Sequence, residues 1–360
     1  MLLAQLLFSL VTVVGCPTNN CGDRYTVKGT VIDAESRTPI SGAHVFIAGS
    51  QLGADTDANG DFEIDQIEIE AFQLVFSHVN YQIRTVDFNL STSKKTLNVS
   101  LKPSTTQLAE VVVNSMKDRK WNRNLKKFKS FFFGEAYNKE LITVENDYLI
   151  EFTNKRGQGL SVNNQPGLEI RNDYLGYEIH FQMLNFKLGD ISSYMGYSNF
   201  KQLEEASPEV KEGWLENRKT AYNGSKRHFF RSLLNNSLDE SGFGVTVVQE
   251  SKSNDFDQKV KMNREKLRLM NDGTGKRNVI VKKVSQQTYQ LEFNGVLEIT
   301  YFEEFDKYGD PQSSEIKLNA PLLINKNGVL LNPGVLVSYG FWTKEGMYEL
   351  LPYEYDPNEH

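Results

Sequence analysis

The chain has 360 residues, 39% of them hydrophobic and 24% charged, with a net charge of −6. That length predicts about two domains with true apolar cores, and the acidic balance argues against general nucleic-acid binding. Sixteen Tyr and 22 Phe, set in many short alternating runs, favour strands over helices.

Residues 1–15, MLLAQLLFSLVTVVG, are apolar and uncharged. The run is shorter than a membrane span and reads as the core of a secretory signal. No Lys or Arg precedes it, so the α-amino group or an upstream start would supply the usual positive charge. The competing reading is a buried N-terminal helix or strand. Gly15 before Cys16 suits a signal cut in front of a cysteine that becomes lipidated, which would attach the protein to a membrane. An oxidising compartment equally permits a Cys16–Cys21 disulfide. No later apolar run reaches eighteen residues, so a soluble body is expected.

From Tyr25 onward seven short strands are predicted: YTVKGTVID, HVFIAG, LGADTD, GDFEID, FQLVFSHV, YQIRTVDF and TLNVSLKP. Turn signals such as SRTP, DANG and STSKK separate them, and this spacing indicates a β-sandwich. Val31, Val45, Phe62 and Ile64 point to a common core. GADTDANGDFEID at 53–65 opens like an EF-hand calcium loop, with Asp55, Asp57, Asn59, Gly60 and Asp61 in series. The twelfth loop position is Gln66 where a bidentate Glu is needed, and the flanks alternate like strands. Asn59-Gly60 therefore reads as a type I′ hairpin turn, and no metal is expected there.

Several motifs resemble a known family: G-x-V-x-D at Gly29 to Asp33, P-I-x-G-A-x-V at Pro39 to Val45, and T-D-x-N-G-x-F at Thr56 to Phe62. Residues 25–102 resemble the carboxypeptidase-regulatory-like domain. That resemblance implies a transthyretin-like seven-stranded sandwich, an accessory domain and not a catalytic one. LAEVVV at 108–113 is similar to the segment that follows such a sandwich in TonB-dependent outer-membrane receptors. The remaining residues lack the amphipathic strand series of a large barrel, so 103–116 reads as a connecting segment. The histidines His44, His78, His180, His228 and His360 open no H-x-x-E and no H-E-x-x-H. A zinc peptidase is excluded on that ground, and no cofactor is expected.

Residues 117–360 read as a second, β-rich domain with two or three helices. MKDRKWNRNLKKFKSFFF at 116–133 is a basic amphipathic helix, with Trp121, Leu125, Phe128 and Phe132 on one face. It is either a surface for an anionic membrane or partner, or a helix packed through its aromatic stripe with a solvated basic face. DYLIEFT and LGYEIHFQMLNFKL read as strands. In the helical patch 207–236, Ser207 caps a helix opened by Pro208 and Glu209. Val210, Trp214 and Ala221 share a face of it. Ser225 caps a second helix, with Phe229, Phe230, Leu233 and Leu234 as its core. Strands return at GVTVV, NVIVKKV, TYQLEF, GVLEITYFEEF, SEIKLN and GVLVSYGFW. The run from Trp214 to Phe229 and the closing LLPYEYDP resemble the wider group of carboxypeptidase-like regulatory domain-containing proteins. Membership implies a secreted or envelope location in bacteria with large outer-membrane uptake systems.

Arg218, Tyr222, Ser225, His228 and Arg231 fall within fourteen residues. Ser225 and His228 could form a nucleophile and its base. Arg218, Tyr222, His228 and Arg231 could bind an anionic or glycan ligand. A structural hydrogen-bond cluster is the third reading. There is no G-x-S-x-G elbow, no Walker loop and no Cys/His zinc cluster. Glu303-Glu304 and Glu204-Glu205 read as solvated acids at strand and helix ends. The resulting expectation is a non-catalytic binding or accessory protein, exported to the periplasm or outer membrane of a Gram-negative bacterium. Its sandwich would act as spacer or docking module, and its second domain would hold an envelope protein or glycan. The alternatives are a hydrolase using Ser225 and His228, or a purely structural envelope component.

Overall fold

The computed structural model describes residues 24–90, 96–104, 119–155, 159–164, 166–189, 192–204, 206–248 and 279–358. The expected signal, Cys16, Cys21, LAEVVV and Glu205 lie outside these residues.

The N-terminal module has seven strands: β1 (Tyr25–Asp33), β2 (His44–Ile47), β3 (Gly53–Asp55), β4 (Asp61–Ile67), β5 (Ala71–Ser77), β6 (Arg84–Asn89) and β7 (Thr96–Leu101). They form two sheets, ordered β4-β1-β7 and β3-β2-β5-β6. β1 runs antiparallel to β4 and parallel to β7. Alternation puts Val27, Val31, Phe62, Ile64, Leu74 and Phe76 into one buried core between the sheets.

The Asp57–Gly60 turn differs from expectation. Only Gly60 has positive φ (+77°), whereas a type I′ turn needs two such residues. The amide of Gly60 donates to the Asp57 carbonyl at 3.0 Å, and the Asp57 carboxylate accepts from the amides of Asn59 and Asp61. The flanking strands β3 and β4 also belong to different sheets, so the segment is a corner between sheets and not a hairpin. A Cβ on Gly60 would stand 2.4 Å from the Val31 carbonyl oxygen, which fixes glycine there.

The second module begins with α1 (Arg119–Phe133) and a six-stranded sheet: β8 (Ile142–Val144), β9 (Glu151–Lys155), β10 (Gly159–Asn163), β11 (Leu168–Asn172), β12 (Tyr177–Leu188) and β13 (Ser193–Gln202). β12 pairs with β11 at one end, with β10 at the other, and with β13 along its length. The strand expected from Asp147 starts later. Asp147–Leu149 is a 3-10 turn, and β9 begins at Glu151. Phe128, Phe132 and Phe133 of α1 pack on Phe181 and Phe186 of this sheet.

Two helices follow, α2 (Pro208–Tyr222) and α3 (Lys226–Leu234). Val210 is 47% exposed and leaves the expected face. The buried face of α2 is Trp214, Arg218, Ala221 and Tyr222, because Val210 lies one turn ahead of the surface on which the helix docks. The last part holds β14 (Phe243–Val248), β15 (Val279–Lys283), β16 (Thr288–Phe293), β17 (Val296–Phe305), β18 (Pro311–Leu318), β19 (Leu322–Asn325) and β20 (Leu336–Gly340). Their sheets, β14-β17-β18-β20 and β15-β16-β19, share a core with Phe229, Phe230 and Leu233 of α3. The protein is mainly β with three helices among the described residues.

The sandwich is tied closely to the rest of the chain. Gly49 donates to the Ser198 carbonyl at 2.6 Å, Phe200 to the Ser50 carbonyl at 2.9 Å, and Ser77 to Gln182 at 2.8 Å. Glu70 accepts from Ser285 and from the Gln287 amide. The C-terminal residues return to the sandwich, where Tyr353 is 7% exposed within its core and donates from its amide to the Gly49 carbonyl at 2.7 Å.

Candidate functional site

The α2–α3 corner is assembled by side chains that read backbone carbonyls. Trp214 Nε1 donates to Asp173 O at 2.8 Å, Asn217 Nδ2 to Tyr174 O at 2.8 Å, and Arg218 Nε to Leu175 O at 2.7 Å. Three donors on one helix face thus satisfy successive carbonyls of the β11–β12 turn, groups that burial would otherwise leave unpaired. The Arg218 guanidinium also sits 4.2 Å over the Tyr177 ring. Arg218 is therefore committed to the turn and to the Tyr177 ring.

Ser225 caps α3. Its Oγ accepts from the His228 amide at 3.2 Å and donates to Tyr222 O at 2.6 Å. Ser225 meets His228 through the backbone, not through the ring. The ring nitrogen Nδ1 accepts from the Gly224 amide at 3.1 Å, which leaves the proton of the neutral ring on Nε2. The imidazole lies among Tyr222, Phe243 and Tyr301. Burial, and then the Arg231 charge, push its pKa down to about 4.

The structure brings Tyr222, His228 and Arg231 together, and Tyr222 and Arg231 meet the chain's own segment 355–356. Arg231 pairs with Asp356 at 3.1 Å, and the Tyr355 ring lies 5.7 Å from Tyr222. The neighbouring Arg227 was not singled out from the sequence. It donates to the carbonyls of Pro352 (2.7 Å), Tyr353 (2.9 Å), Tyr355 (2.6 Å) and Asn327 (3.3 Å). The closing LLPYEYDP is thus the acceptor for the helical patch. Two arginines one helical turn apart, Arg227 and Arg231, were the one available signal.

On the other side of this corner lies a cleft of about 1540 Å³. Its walls come from the sandwich edge at Ala48 and Phe88, from β13 at Tyr194 and Met195, from Ser225, Lys226 and Arg227, and from the C-terminal segment at Glu345, Glu349 and Leu350. Arg218, Tyr222, His228 and Arg231 are not among its lining residues. Glu303 and Glu304 are, and Glu304 shares a field with Glu345 and Glu349. Burial first, then Glu345 and Glu304, push Glu349 up to about 7. Burial raises Glu345 as well, against the opposing pull of Lys226, whose Nζ lies 3.1 Å from it. The acids at the end of β17 are therefore part of a cavity wall, a placement that strand patterning could not show. No group of three or more metal-ligating side chains occurs among the described residues.

Among curated proteins none matches the chain. A type II cohesin–X-dockerin complex from Acetivibrio cellulolyticus is similar at 23% identity, over 31% of this chain and 80% of that chain, with a TM-score of 0.20. A candidate carbohydrate-binding protein from Bacteroides uniformis is similar at 9% identity, over 51% of this chain and 75% of that chain, with a TM-score of 0.19. Scores of this size carry no argument about ligand or role. The family finding is local and specific: residues 27–113 match the CarboxypepD_reg-like domain, so the N-terminal sandwich of this chain is a CarboxypepD_reg-like domain.

Proposed function

We propose that this is a binding or accessory protein of the cell envelope, and that it holds a glycan or polypeptide segment in the cleft between sandwich, β13, helix corner and C-terminal segment. The cleft carries this reading. At about 1540 Å³ it exceeds the ~300–1,000 Å³ typical of small-molecule pockets and suits a chain-like ligand. Its lining mixes Tyr194, Met195, Phe341 and Leu350 with Lys226, Glu304 and Glu349, which offers both stacking surface and hydrogen bonds. Export rests on the apolar run 1–15, and membrane attachment on a lipid at Cys16. The hydrolase alternative loses support, because the Ser225 hydroxyl is committed to the helix cap and the His228 ring does not face it.

The test is calorimetric screening of oligosaccharides and extended peptides against the wild type and the cleft-filling variants Met195→Trp and Leu350→Trp. Both positions are exposed (58% and 39%) and tolerate bulk. A ligand that binds the wild type and is lost in both variants supports the cleft. A ligand that binds all three equally sinks it.

A further inference from the structure

The exposed face of α1 carries charge that no carboxylate among the described residues pairs with. Arg119, Lys120, Arg123, Lys126 and Lys127 are all exposed, and at ~100° per residue they fall within an arc of about 120°. The helix contains no acidic residue. None of the five pairs with a described carboxylate, whereas Lys129, outside the arc, pairs with Asp147 at 2.9 Å. The nearby Glu151 accepts from Asn163. Five clustered cations on a chain of net charge −6 make this helix face strongly basic against the overall acidic balance.

Aromatic side chains flank this face. Trp121 is half-buried, with Nε1 donating to Ile150 O at 3.0 Å. Tyr148, in the turn that Lys129 and Trp121 fasten alongside the helix, is 53% exposed. Clustered Lys and Arg bordered by amphipathic aromatics match the chemistry of a lipid headgroup layer, where cations meet phosphates and Trp and Tyr settle at the interface. The opposite face of α1 is fixed in the core through Phe128, Phe132 and Phe133, so the helix presents its cations from a rigid base and does not insert.

The geometry points to α1 as a docking face for the anionic lipid surface of a membrane. It lays the protein on the bilayer through Arg119, Lys120, Arg123, Lys126 and Lys127.

The test uses the full chain, sedimented with phosphatidylcholine vesicles and with vesicles that also contain phosphatidylglycerol. The apolar run 1–15 would bind both kinds alike, so the difference between them reads α1. Each cation near an anionic surface strengthens binding about fivefold. The variant Lys120→Glu, Arg123→Glu, Lys126→Glu, Lys127→Glu should lose the anionic preference by two orders of magnitude or more. High salt should abolish it in the wild type. The four positions are exposed and Glu forms helix well. If the reversal disturbs folding, the four-Gln variant should lose the same preference by a smaller factor. A wild type that does not distinguish the two vesicles overturns the proposal, as does a folded variant that keeps the preference. A wild type that ignores vesicles but binds polyphosphate through the same residues gives the face to a soluble polyanion and equally overturns it.

Discussion

The guanidinium of Arg231 lies against the carboxylate of Asp356 with nitrogen–oxygen distances of 3.1 to 3.2 Å. One turn earlier Arg227 collects carbonyls from the same segment. Together they fasten α3 to the C-terminus. Arg227→Lys should cost about 2–4 kcal/mol, because a single ammonium cannot reproduce a planar fork that serves several carbonyls. Urea denaturation checks the loss, and hydrogen exchange should show the amides of Tyr353 and Tyr355 opening. An unchanged exchange pattern would remove Arg227 from this role.

Ser225→Ala should lower stability by about 1 kcal/mol, the usual cost of losing an N-cap. Ser225→Asp should restore most of it, since Asp also caps. Ligand binding in the cleft should survive Ser225→Ala once the lower stability is allowed for. An abolished activity with unchanged stability would instead revive the nucleophile reading.

Two half-buried groups predict opposite responses to pH. The His228 pKa falls from 6.5 to about 4, so across that window the unfolded chain takes up a proton that the folded chain refuses. Stability is therefore lost as pH drops through it. Glu349 rises from 4.5 to about 7, so the folded chain keeps a proton that the unfolded chain has released. Stability is lost as pH climbs through that second window. Glu349→Gln should flatten the loss on the alkaline side and raise stability above pH 7. His228→Gln should flatten the acid side. Curves parallel to the wild type in either variant would contradict the assignment.

Gly176→Ala should be among the most damaging single changes. Gly176 has φ +73°, and a Cβ there would sit 2.2 Å from the Trp214 ring. Strain and overlap together should cost about 3 kcal/mol or more. Because Trp214, Asn217 and Arg218 all hold this turn, α2 should loosen with it. Trp fluorescence during unfolding would report a separate early transition.

The sandwich was legible because β1 and β4 alternate over most of their length and turn residues bound the short strands. β1 begins and ends where YTVKGTVID does. Both caps in the helical patch were legible for the same local reason. β13 was not, because SYMGYSNFKQ has little alternation and is held by pairing along β12. The corner at Asp57–Gly60 looked like a hairpin because Asn-Gly is a local signal, whereas the sheet each flanking strand joins is a long-range matter. The cleft was invisible for that reason too. Glu304 and Glu349 lie far apart in sequence, and only folding gives them a common field. Arg227 escaped notice because its partners are backbone carbonyls, which carry no residue signature.

Tyr353 fills part of the apolar interior of a sandwich whose first strand starts at Tyr25. Synthesis delivers the sandwich strands long before it delivers that ring. The sandwich core therefore lacks one of its packing partners until the segment around Tyr353 has been made and folded back. A chain cut short of Tyr353 would leave that part of the sandwich core uncovered and open to proteases.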